Sequence, residues 1–198
     1  MPRRRSGQQL YCTALRGNVR ALWSGEWDRE QFNAAMLTSI DRGYNAAWLE
    51  GAEPYGIRAI DELTSEERAQ LNSAILVALQ SAPGFADAII AGSKENGGKL
   101  TPLLTRAKLW CERYAQVQGT AGTMAAGNRA MMWVLGQAEH CPSCLKLAGK
   151  VKRASYWVEH GILPRDPNTG LACGGFRCQC SLEPTTDPIS KGPLPRLP

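Results

Sequence analysis

Five cysteines crowd into one stretch near the C-terminal end of this chain, and they restrict its fold more than any other feature. The spacing is C-x2-C (Cys141, Cys144), a long insert, then C-x4-C-x-C (Cys173, Cys178, Cys180). Two cysteine groups separated by a hairpin-sized insert are how a small module folds around one tetrahedral zinc ion. Cys141-Pro142-Ser143-Cys144 is short enough for two thiolates to reach one ion while backbone N–H groups point at the sulfurs. The second group lies in a glycine-rich loop, where the backbone can turn sharply.

Zinc takes four ligands and five thiols are present. Cys141 and Cys144 form the first pair, and Cys173 with Cys178 is the expected second. Cys180 is the alternate ligand, ranked behind Cys173 for the place beside Cys178. His140 competes for a place but sits directly against Cys141. The alternatives are disulfides or free core thiols. Disulfides need an oxidising compartment. The basic start, with Arg3, Arg4 and Arg5, has no apolar segment behind it and does not read as a secretory signal. A catalytic zinc needs an open position, usually with His, Asp or Glu beside it, and the chain has two histidines. The expected ion is therefore structural.

The remaining sequence reads as mainly helical. At 198 residues it suits one domain plus a small appended one, and its net charge of +5 permits an acidic or nucleic-acid partner without requiring one. No apolar run approaches the ~20 residues of a membrane span. Phe32, Met36, Ile40, Tyr44, Ala47 and Trp48 form an amphipathic stripe that predicts a helix over 27–50, stopped by Gly51 and Pro54. Thr64 and Glu67 form a capping box for a helix bearing Leu71, Ile75, Ala78 and Leu79, ended by Pro83 and Gly84. A short helical segment over 85–91 and a connector over 92–99 follow. Thr101 caps, and Pro102 opens, a helix over 101–118 with Leu103, Leu104, Ala107, Trp110, Cys111, Tyr114 and Val117 as its apolar face.

Residues 130–135 have strand character. Residues 145–151 read as a hairpin with Ala148 and Gly149 at its tip, and 155–161 as one or two helical turns. The proline-rich tail is expected to be extended, available to dock on a neighbour. The fold class is thus mainly α: a helical N-terminal region (1–99), a small α+β zinc-binding module (100–187) and a tail (188–198).

A family resemblance rests on the module. Its residues are Met132-Trp133-Val134-Leu135-Gly136, Glu139-His140-Cys141-x-x-Cys144, Leu147-x-Gly149-Lys150-Val151, Pro164, and Cys173-x4-Cys178-x-Cys180-x-Leu182-x-Pro184. This resembles the C-terminal module of tailed-phage head morphogenesis proteins, the minor head proteins of the phage Mu F-like type. Cys141 and Cys144 match the family's first pair, and Cys178 and Cys180 its closing Cys-x-Cys. Cys173 stands two residues upstream of the family's histidine.

The resemblance implies a virion component at the portal vertex or capsid interior, made in the host cytoplasm. It implies portal and capsid proteins and other copies of the chain as partners, packaged DNA within reach, and no enzymatic activity. A different reading is a zinc-ribbon nucleic-acid binder using Lys146, Lys150, Lys152, Arg153, Arg165 and Arg177 for charge. Tyr156, Trp157 and Phe176 would then supply stacking.

Overall fold

A computed structural model describes residues 6–166, 170–175 and 178–197. Arg3, Arg4, Arg5, Phe176, Arg177 and Pro198 lie outside the described residues. The chain forms two compact units. The first comprises residues 1–48 and 60–117, the second 49–59 and 118–198. The expected boundary at residue 99 falls inside the first unit.

The first unit is helical. Helix α1 (Gly7–Trp23) was not expected from the sequence; Ser6 and Gln9 form its capping box, and Tyr11, Leu15, Val19 and Leu22 are its buried face. Helix α2 (Arg29–Ala52) carries the anticipated stripe. Phe32, Met36, Ile40, Tyr44, Ala47 and Trp48 are all 1% exposed or less. Gly51 does not stop this helix but lies within it. Its backbone passes so close to the helix segment around Gln118 that a Cβ would overlap the Gln118 carbonyl.

Helix α3 (Ser65–Gln80) has the capping box read from Thr64 and Glu67. The Glu67 N–H donates to Thr64 Oγ1 at 3.2 Å and the Thr64 N–H to Glu67 Oε2 at 2.9 Å. Pro83 and Gly84 do not terminate it. They sit in the first turn of α4 (Ala82–Ala91), where proline's missing N–H has no helical partner to lose. Together Ser65–Ala91 form one helical stretch long and apolar enough, by length and composition, to cross a membrane. Its Leu71, Ile75, Ala78, Phe85 and Ile89 are buried in the core of the first unit.

Helix α5 (Leu100–Ala125) begins one residue ahead of the expected Thr101 cap and runs through the glycines at 119 and 122. Phe85 stacks on Trp110 at 4.9 Å between ring centroids and meets Phe32 edge-on at 6.2 Å. Tyr11 packs against Tyr44 and Tyr114. Burial pushes the Tyr44 phenol up to about 12.

The second unit is built on a three-stranded antiparallel sheet ordered β2-β1-β3. Strand β1 (Ala130–Val134) turns Met131 and Trp133 inward. A short helix α6 (Pro142–Leu147) follows, then β2 (Val151–Arg153), helix α7 (Ala154–Glu159) and strand β3 (Ser181–Pro184). The hairpin expected at 145–151 is therefore replaced by α6 and a turn. Pro142 at the first helical position and Cys141 as cap decide this locally. Trp133 and Trp157 lie 5.7 Å apart, and the Trp157 indole N–H donates to the Met131 carbonyl at 3.2 Å.

The tail folds back on its own module rather than leaving it. The Ser190 N–H donates to the Val151 carbonyl at 2.9 Å, and Leu194 and Leu197 pack against the module's core. Lys152, only 7% exposed, donates from Nζ to the Ser190 and Gly192 carbonyls at 2.7 and 2.5 Å, with the Tyr156 ring 5.2 Å away. A buried ammonium whose protons are taken by carbonyls and an aromatic face fixes the tail's path.

Candidate metal centre

Three separate pieces of the second unit deliver the five thiols to one place. The first piece is the turn into α6. Cys141 is its N-cap, and its sulfur accepts from the Cys144 N–H at 3.5 Å. That bond holds Cys141 Sγ 3.4 Å from Cys144 Sγ. Cys144 itself is buried in the core.

The second piece is the run entering β3. Val134 pairs with Ser181 and Trp133 with Leu182, so Cys180 falls beside the turn that leaves β1. Gly136 makes this possible: a Cβ there would overlap the Gln179 carbonyl, so only glycine lets the two backbones meet. Cys178 Sγ lies 3.9 Å from Cys144 Sγ. The third piece is the loop bearing Cys173. It is tied to α6 by the Ala172 N–H, which donates to the fully buried Ser143 hydroxyl at 2.9 Å.

The sulfurs form two overlapping triads, Cys141–Cys144–Cys173 and Cys144–Cys178–Cys180, each with all its sulfurs within 4.8 Å of one another. Cys144 belongs to both. The four expected ligands and the alternate, Cys180, are thus all in the cluster. In an extended run residues i and i+2 point to the same face, so a C-x-C spacing favours both thiols at one site. Here β3 begins only at Ser181, and 178–180 lie in irregular backbone that brings both thiols to Cys144. His140 Nδ1 stands 3.7 Å from Cys180 Sγ, at the edge of the cluster. Gly136 and Ser143 position the thiols without offering themselves as metal ligands.

The spacing suits a metal rather than a disulfide. All seven cysteines are free, and 3.4 Å between Cys141 and Cys144 is far beyond the ~2.05 Å of an S–S bond. Four sulfurs around zinc at ~2.3 Å stand about 3.8 Å from one another. The distances of 3.4 and 3.9 Å bracket that value. The cluster can hold a metal ion, and it lines a cavity of about 320 Å³ with His140 and Glu139.

The thiols' acidities fit the same role. Burial acts to raise Cys141, but hydrogen bonds from Cys144 and Cys173 outweigh it and bring that thiol down to about 7. Burial raises Cys144, with its sulfur neighbours adding to the effect. Burial and the neighbouring Cys141 push Cys173 up to about 11. Burial also raises Cys180, against the Gly136 N–H, which favours the thiolate. The Cys141 thiolate is accessible near neutral pH, whereas Cys144, Cys173 and Cys180 need a cation to replace their protons.

No protein-family model matches this chain, and no curated protein or solved structure matches it either.

Proposed function

We propose that the protein is a structural component of a tailed-phage head, of the minor head protein type, whose second unit folds around one zinc ion. The observation that carries the metal reading is the convergence of five thiols from three chain segments on Cys144 at spacings near those of a zinc–thiolate tetrahedron. Cys141, Cys144 and Cys178 supply three ligands, and Cys173 or Cys180 the fourth. A soft, all-sulfur donor set selects zinc over calcium or magnesium, which take oxygen.

The head reading is supported by where its resemblance-bearing residues lie. Trp133, the Cys141–Cys144 turn, Gly149, Cys178, Cys180 and Leu182 belong to the sheet and the centre that define this one unit. The nucleic-acid reading has less to draw on. Trp157 is fully buried and Lys152 is committed to tail carbonyls, so neither is free for bases or phosphates.

The test is fractionation of lysate from cells producing the phage, with each fraction probed for this chain and for zinc. Sedimentation with head-sized particles, and release only when they are disrupted, supports the reading. A small soluble species absent from particles rules it out. Binding to single-stranded DNA that weakens steeply with salt would then favour the zinc-ribbon alternative.

A further inference from the structure

One tetrahedral zinc takes four donors, and this cluster offers more: five thiols, with the His140 ring at its edge. With one ion bound, Cys173 or Cys180 is left without a metal. The arrangement of the sulfurs accounts for the surplus. They are gathered three and three, as Cys141–Cys144–Cys173 and Cys144–Cys178–Cys180, and the triads share Cys144 alone. Each triad joins α6 to a different segment. The first ties it to the loop bearing Cys173, the second to the run entering β3.

We propose that the cluster takes a second zinc ion, and that Cys144 is the thiolate that bridges the two. The proposal rests on the metal reading above and adds one ion to it. One ion sits on Cys141, Cys144 and Cys173, the other on Cys144, Cys178 and Cys180. A thiolate sulfur has lone pairs enough for two cations, and the bridging place belongs to the sulfur common to both triads. Cys144 Sγ lies 3.4 Å from Cys141 Sγ in one triad and 3.9 Å from Cys178 Sγ in the other, close to the ~3.8 Å between sulfurs on one zinc.

His140 completes the second ion. Its Nδ1 is 3.7 Å from Cys180 Sγ, and a nitrogen and a sulfur on one zinc, at ~2.0 and ~2.3 Å, stand about 3.6 Å apart. Two tetrahedra sharing a corner use seven donors, so water takes the one place left on the first ion. The cavity of about 320 Å³ that these residues line has room for both ions and that water. Two divalent ions also leave less negative charge on five thiolates than one ion leaves on four, which favours a pair where Cys144 and Cys180 are each 1% exposed.

The experiment uses the full chain, reduced and stripped of metal, then reconstituted with zinc or with spin-active cadmium, a thiophilic stand-in. After desalting, metal content and cadmium NMR are read. Two ions per chain are expected, with two cadmium resonances split by coupling through the shared sulfur. Cys173→Ser should halve the content and leave one unsplit resonance, from the ion on Cys144, Cys178, Cys180 and His140. Cys180→Ser should halve it as well, and Cys12→Ser, in the other unit, should keep both ions. One ion in the wild type and one in Cys173→Ser overturns the second ion and leaves the metal reading standing. Two resonances without mutual splitting overturn the Cys144 bridge. Loss of an ion from Cys12→Ser would place it outside the cluster and overturn the proposal. A wild-type chain that takes up neither metal overturns both readings.

Discussion

The two units solve the same problem with different means. Of the twelve largest fully buried side chains among the described residues, only Trp133 and Trp157 belong to the second unit. The first unit is held by aromatic and aliphatic side chains from five helices, and burial alone supplies its core. The second has a three-stranded sheet, two helices of six residues each and a tail that folds back on it. A module that small gains little from apolar burial and needs a staple. The staple we propose is the thiol cluster, whose Cys144 and Cys180 are also members of its hydrophobic core. In the first unit the cysteines are ordinary: burial raises Cys111 to about 12, next to Cys12, consistent with a neutral buried thiol. The same residue type is a packing element in one unit and part of a cluster that can hold a metal ion in the other because of how many thiols converge.

The largest expected effect follows directly. Removing the metal with a chelator, or making Cys144→Ser, should unfold the second unit and leave the first helical. Structural zinc sites contribute about 10 kcal/mol or more of apparent folding energy in small zinc peptides, well beyond what this core can replace. Amide exchange should rise across 130–184 and stay low in α2 and α3, while the near-ultraviolet signal of Trp133 and Trp157 collapses. Unchanged exchange after chelation would mean that the sheet and tail suffice alone. The effect has a pH direction. With Cys173 at about 11 and Cys144 and Cys180 also raised, zinc must expel protons to bind. Apparent affinity should therefore rise with pH, by up to about tenfold per unit for each proton released. Metal loss should accompany acidification, read as zinc content after dialysis at stepwise lower pH.

The contrast also runs the other way. Phe85 touches Phe32 and Trp110, with the Arg106 guanidinium 5.1 Å above its ring, and it is fully buried. Phe85→Ala should destabilise the first unit by about 3–5 kcal/mol through lost burial and the cavity left behind. Zinc content should stay at the wild-type level. If zinc is lost at the same temperature as the helices, the two units unfold as one, and the comparison dissolves into a single cooperative structure.

How much of this was legible depends on whether the signal was local. The stripe from Phe32 to Trp48 was, because a 24-residue helix repeats its burial period many times. The Thr64–Glu67 box was, because both partners lie three residues apart. Helix α1 left the same kinds of trace, a Ser6–Gln9 box and Tyr11, Leu15, Val19 and Leu22, but Arg16, Gly17 and Asn18 interrupt the apolar pattern. Asn18 is buried there by a bond to Ser39 on another helix, at 3.0 Å, which no local reading supplies. Strand β3 is four residues long and contains a proline; its extended state comes from pairing with β1. The cluster's membership was readable from cysteine spacing. The C-x-C spacing also put Cys180 on the side of Cys178, but its approach to Cys144 depends on the β3 register and the backbone contact at Gly136.

The smallest effect separates two capping boxes of the first unit, those of α1 and α3. Both have the same local chemistry, yet Glu67 is 5% exposed whereas Ser6 and Gln9 lie at the surface. In α3, Thr64 Oγ1 accepts from the Glu67 N–H at 3.2 Å and also donates to Glu67 Oε2 at 3.0 Å. Thr64→Ala removes both bonds and leaves a buried carboxylate with fewer donors. About 1 kcal/mol is the usual cost of losing a cap, and burial of Glu67 places this site in the upper part of that range. Ser6→Ala removes an exposed bond that water replaces, so its effect should be smaller. Denaturant midpoints of the helical transition should order wild type, Ser6→Ala, Thr64→Ala, with zinc content the same in all three. Equal midpoints for the two variants would show that burial of Glu67 adds nothing to its cap.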